Sequence, residues 1–257
     1  MYKTLMNAIW DSIGLFLSHF VMLAAITLPF IIFLEVFEVY FIESYLMTPF
    51  MFNDLSPLLV AHLTIKPFYS IAVIFYIASV IEQPAITITQ SWLYGIRYWP
   101  VYFVVSLIMN TLIGTGLLFY AIPGIFLFIR FSFTEFHLLL DKQSPFAAIK
   151  SSFVNTRKYF LQLSGGFIII AVIVFYSHAM VNTIFEIQAP EFNFDLLTGI
   201  LEKDSPVKTQ SLSQENLLIK FPPFSLLRSI ISIFYNFVIV IFTIFAFRIY
   251  CLTKQKN

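Results

Sequence analysis

Charge is scarce in this sequence. Asp, Glu, Lys and Arg make up 11% of the 257 residues, under half of the roughly 25% usual in a soluble domain. A chain with so few charges cannot cover a water-facing surface, which excludes an ordinary soluble globule. Net charge is +1, so there is no global basic field, and nucleic acid is excluded as a main partner. Cysteine is limited to Cys251, so no internal disulfide can form. Signatures of nucleotide binding and of nucleophilic catalysis are missing: there is no Gly-x-Gly-x-x-Gly, no Walker pattern and no Gly-x-Ser-x-Gly. His19, His62, His137 and His178 do not fall at metal-ligand spacings. No metal, cofactor or catalytic residue is expected, and the chain reads as a non-enzyme.

Apolar residues are abundant instead: 59% of the chain, with 32 Phe. They gather in long runs. A helix needs about 20 apolar residues to cross the hydrocarbon of a bilayer, and backbone groups in lipid must be satisfied within the segment. Residues 13–34, 67–89, 99–121, 122–140, 161–185 and 224–250 meet this requirement. The expected fold is all-α: a single integral membrane domain over residues 1–257, a polytopic bundle of about six spans. The first run is longer than the roughly 7–15 apolar residues of a secretory signal, so it reads as a retained span. Ala121-Ile122-Pro123-Gly124 separates the third and fourth spans and reads as a helical hairpin with almost no loop. Residues 35–66 and 186–223 are the two long outer loops.

Orientation follows from Lys and Arg near the span ends. With six spans and an inside N-terminus, Lys3, Arg97, Lys142, Lys150, Arg157, Lys158, Arg248, Lys254 and Lys256 lie inside, and the longer outer loops hold five. Most acids fall outside. This pattern predicts a bacterial inner-membrane protein with both termini in the cytoplasm.

Two groups of residues are candidates for function. Ionisable residues within spans are the first. Glu82 and Gln83 precede Pro84 in the second span, and Arg130 and Glu135 lie in the fourth. Arg130 is expected to pair with one of the two carboxylates, either as a solute or proton site or as a buried pair fixing helix register. The second candidate is the segment 141–160. Ser144-Pro145 is a helix start. Phe146, Ile149, Phe153 and Phe160 then recur on one face, with Lys150, Arg157 and Lys158 beside them. This predicts an amphipathic interfacial helix between the fourth and fifth spans, with its cations on anionic headgroups. The expected partners are membrane lipids, with a membrane-protein partner or a second copy of the chain left open.

Two stretches carry a family resemblance. One runs from Ile122-Pro123-Gly124-Ile125 through Leu138 to Asp141-Lys142, Ser144-Pro145-Phe146-Ala147-Ala148-Ile149-Lys150-Ser151-Ser152 and Thr156-Arg157. The other is Phe247-Arg248-Ile249-Tyr250-Cys251-Leu252. Together they resemble the YciC-like family of bacterial inner-membrane proteins, and in layout the membrane domain of some glycerophosphodiester phosphodiesterases. The resemblance implies six helices, inside termini and no enzyme activity. Two readings of function follow: envelope or membrane homeostasis through lipid or protein contacts, or a small transporter for an apolar or lipid-like solute.

Overall fold

The computed structural model describes residues 2–45, 56–82, 86–119, 121–185, 191–192, 219–220 and 225–254. Nine helices lie among the described residues. They are α1 (Tyr2–Ser18), α2 (Phe20–Tyr45), α3 (Ser56–Glu82), α4 (Ile88–Phe119), α5 (Ala121–Phe131), α6 (Thr134–Leu139), α7 (Pro145–Ile184), α8 (Leu226–Val238) and α9 (Val240–Lys254). Six helical segments are long and apolar enough to cross a membrane. The chain is a multi-pass, all-α membrane bundle. Outside the helices, Glu191–Phe192 pairs antiparallel with Ile219–Lys220. The rest of the expected outer loop 186–223 lies outside the described residues.

Several boundaries differ from the sequence reading. The first span is Phe20–Phe41, because the helix bends at His19. Hydrogen bonding continues across the bend, from His19 N–H to the Leu15 carbonyl and from Leu23 N–H to the His19 carbonyl. The imidazole Nδ1 is 2.9 Å from the Tyr76 hydroxyl of α3. Before the bend, α1 is amphipathic: Ala8, Ile9, Ser12, Leu15 and Phe16 are buried, and Trp10 is exposed. It packs on α9 and α7.

Residues 35–66, expected as an outer loop, are mostly helix, since α2 runs to Tyr45 and α3 starts at Ser56. The acids there need not leave the helix to find partners. Glu35 accepts a hydrogen bond from the Ser232 hydroxyl of α8 at 2.6 Å, and Glu38 lies 3.6 Å from His62. The turn between the second and third spans falls between Glu82 and Ile88, earlier than expected. Thr87 and Gln90 form a reciprocal cap there: Gln90 N–H donates to Thr87 Oγ1 at 3.3 Å, and Thr87 N–H donates to Gln90 Oε1 at 2.9 Å. This places Arg97 inside α4. Pro84, expected within the second span, lies outside the described residues.

The amphipathic segment does sit between the fourth and fifth spans, but it is continuous with the fifth. α7 is one helix of 40 residues. Its buried stripe, Ala148, Ser152, Thr156, Tyr159, Leu163, Gly166, Phe167 and Ile170, passes through the expected boundary without interruption. The fourth span is itself broken, with Ser132 and Phe133 separating α5 from α6.

Close approach is set by small residues and tryptophans. Gly116 and Gly124 let α4 and α5 run back to back: a Cβ on Gly116 would lie 2.9 Å from the Gly124 Cα. Trp92 and Trp99 share one face of α4 and act alike. The Trp92 indole N–H donates to the Ile26 carbonyl of α2 at 3.2 Å, and that of Trp99 to the Thr64 carbonyl of α3 at 2.7 Å. Each acceptor lies three residues before a proline inside its helix, Pro29 and Pro67. Proline disrupts the helical ladder at that turn, and the indoles supply donors there. Trp99→Phe is expected to remove about 1 kcal/mol of stability. Thermal unfolding in detergent, with Trp92→Phe alongside, checks this.

Candidate functional site

The most elaborate polar construction lies where the α6–α7 turn meets the C-terminal helix. α6 ends at Leu139, and the chain reverses through Lys142, whose φ is +51°. This left-handed residue lets Gln143 N–H return to the His137 carbonyl at 3.1 Å. The reversal presents the Asp141 side chain to α9. Asp141 Oδ2 accepts from Tyr250 Oη at 2.7 Å and from His137 Nδ1 at 2.7 Å, and Oδ1 accepts from Lys254 Nζ. A carboxylate can only accept, so His137 carries its proton on Nδ1. Its Nε2 is then free to accept from Asn155 Nδ2 of α7 at 3.0 Å. One carboxylate thus gathers α6, α7 and α9 into a clasp.

Burial alone would raise the Asp141 pKa. The hydrogen bonds from Lys254, Tyr250 and His137 outweigh it and hold the carboxyl below its usual value. The imidazole resembles the middle of a catalytic relay, but both its nitrogens are committed to structural partners. What the arrangement does chemically is fix three helices through charge-assisted bonds.

Arg130 lies in the last turn of α5. It is buried, at 8% exposure. Its backbone carbonyl accepts from the Ser152 hydroxyl at 2.7 Å and the Thr156 hydroxyl at 3.3 Å, and Ser152 also receives Phe133 N–H. The guanidinium lies 4.0 Å from the Phe153 ring centroid and 5.5 Å from that of Phe126. Arg157 follows Phe153 by one turn on the same face of α7.

The expected pairing of Arg130 with Glu135 does not form: among the described residues no ion pair joins them. The reason is the turn at Ser132–Phe133, which rotates α6 relative to α5. Arg130 therefore faces α7, whereas Glu135 lies toward Tyr102 of α4 and Lys66 of α3. Glu82 is the last residue of α3; its side chain and Gln83 lie outside the described residues. The neighbouring Thr134 is fully buried.

The interfacial group divides. Phe146, Lys150, Phe153, Arg157 and Lys158 are exposed along α7. Ile149 and Phe160, expected on the same face as Phe146, turn partly inward onto the core. The 3.6-residue helical period puts Ile149 midway between exposed Phe146 and buried Ser152, at the edge of the buried stripe.

Sequence reasoning missed the clasp. His137 and Asp141 stand at i, i+4, a spacing that places both on one helical face, and that signal was readable. Asn155 and Lys254 carried none. Asp141 and Tyr250 belong to the two separate stretches that bear the family resemblance, and the fold joins them directly. No family model matches the chain, nor does any curated protein or solved structure.

Proposed function

We propose that this is a non-catalytic protein of a bacterial inner membrane, with both termini in the cytoplasm, that serves membrane homeostasis by holding anionic lipid against the first half of α7. Membership of the YciC-like family is part of this reading and rests on the quoted motifs. The excess of Lys and Arg on one side of the expected spans supports the orientation.

One observation carries the lipid role: the exposed stripe of α7. Phe146 is 78% and Phe153 37% exposed, and Lys150, Arg157 and Lys158 stand between and beside them. None of the three cations has a carboxylate partner among the described residues. An apolar stripe carrying unpaired cations matches the headgroup region of an anionic leaflet, where each cation contributes about 1 kcal/mol. Asn155, on the same half of α7, ties that segment to the clasp through His137.

The test is the lipid composition around the full-length protein in nanodiscs of mixed phosphatidylglycerol and phosphatidylcholine. Phosphatidylglycerol should be enriched around the parent. Lys150→Gln/Lys158→Gln should reduce the enrichment several-fold, and added salt should do the same. Equal composition around parent and variant would end the proposal.

A second reading, passage of an apolar solute, is favoured by a groove of about 350 Å³ lined by Phe30, Thr64, Ile65, Phe68, Ile96 and Trp99. Its walls are apolar, so a solute there would be lipid-like.

A further inference from the structure

Arg130 is built into the protein more firmly than a lipid-facing cation needs to be. Two hydroxyls hold its carbonyl, and two aromatic rings flank its guanidinium. Yet its Nε–H is sealed from solvent with no acceptor, and no carboxylate pairs with it among the described residues. Arg157, exposed one turn beyond Phe153 on the same face of α7, adds a second guanidinium on that side. The C-terminal dipole of α5 offsets part of the charge. The remainder is a buried guanidinium with a second one a turn of α7 beyond the ring it stacks on, which is costly unless an anion completes the group.

The shape of that anion follows from the donors. Guanidinium forks match the oxygens of a phosphate and bind it bidentately. The surroundings name its source. Phe126 on α5 and Phe153 on α7 flank the guanidinium and are both exposed, so whatever reaches it lies along an apolar wall. A free ion gains nothing from such a wall, whereas a phosphate carrying acyl chains does.

We propose that Arg130 and Arg157 hold the phosphate of one anionic phospholipid, with its chains lying against Phe126 and Phe153. This deepens the lipid reading above: that reading concerns the leaflet as a whole, and this one a single retained molecule.

The test is native mass spectrometry of the full-length protein in detergent, titrated separately with phosphatidylglycerol, phosphatidylcholine and inorganic phosphate. One phosphatidylglycerol should be retained per chain, with phosphatidylcholine and phosphate held far more weakly. Arg130→Gln should reduce retention by roughly 10- to 100-fold. Arg130→Lys should recover part of it, because a point charge replaces a fork. Arg157→Gln, at an exposed position, should reduce retention as well, and it serves where Arg130→Gln does not fold. Arg97→Gln, remote on α4, should leave retention unchanged. Parental retention in both Arg130→Gln and Arg157→Gln would overturn the site. Phosphate binding as tightly as the lipid would overturn its assignment to a lipid. Because the Lys150/Lys158 experiment measures bulk enrichment and this one a single bound molecule, either can fail while the other stands.

Discussion

Asp141→Asn is expected to cost roughly 3 kcal/mol of stability, measured as a lower thermal midpoint of the detergent-solubilised protein. The substitution preserves shape and removes charge. It also installs a donor where only donors converge. On one side of the group are Tyr250 and His137, on the other Lys254. Whichever way the amide turns, its –NH2 meets an N–H or O–H. His137 then loses the partner that set its tautomer, and the contact from Asn155 weakens with it. Lys254→Gln is the control. Lys254 is more than half exposed, and a surface ion pair contributes at most about 1 kcal/mol. The contrast between the two variants isolates the buried donors. A loss of under roughly 0.5 kcal/mol in Asp141→Asn would remove the clasp from the account of stability.

The same carboxylate makes stability depend on pH. Its folded pKa is lowered against that of the unfolded chain, so the folded state binds fewer protons there. The contribution is complete above the unfolded value of about 3.9. It is lost as pH falls toward and through the folded value. Acid melting curves of the parent should therefore show a limb below about pH 4 that Asp141→Asn flattens.

Gly166→Val is expected to be at least as damaging, about 3 kcal/mol or more, at the upper end for overpacking. A Cβ at Gly166 would fall 2.0 Å from Phe245 Cζ and 2.4 Å from its Cε1. Phe245 cannot yield: it is fully buried and its ring packs edge-on against Phe167 at 5.6 Å. The substitution therefore forces α7 away from α9, and the Tyr159 hydroxyl from the Leu252 carbonyl. Gly114→Val is the contrast, since a Cβ there meets nothing within 4 Å. Phe245→Leu should rescue Gly166→Val in part, because shortening the ring relieves the clash. Full additivity of the two losses would place the damage elsewhere.

The bundle was legible because a helix that crosses lipid declares itself by length and composition alone. The Thr87–Gln90 cap was also on the page, a Thr-x-x-Gln just before an apolar run, and it marks the start of α4 better than the polar residues near Arg97 do. The bend at His19 left no trace, because neither glycine nor proline occurs at it. The turn at Ser132–Phe133 left none either, and that is why Arg130 and Glu135 were expected on one helix and are found facing different neighbours. The clasp was half legible. His137 and Asp141 are neighbours by helical spacing, but Tyr250 lies 109 residues further along. No local pattern encodes a contact of that range; it is a product of how α6, α7 and α9 come together.

The length of α7 has a mechanical consequence. Forty residues at about 1.5 Å each make a rod of roughly 60 Å, twice the ~30 Å thickness of hydrocarbon. It is therefore longer than one crossing requires, and no proline beyond Pro145 interrupts it. The adjoining Ser164-Gly165-Gly166 is the softest point along the rod, and Phe245 wedges it. A displacement of the first half of α7 is therefore expected to hinge at that point, against Phe245.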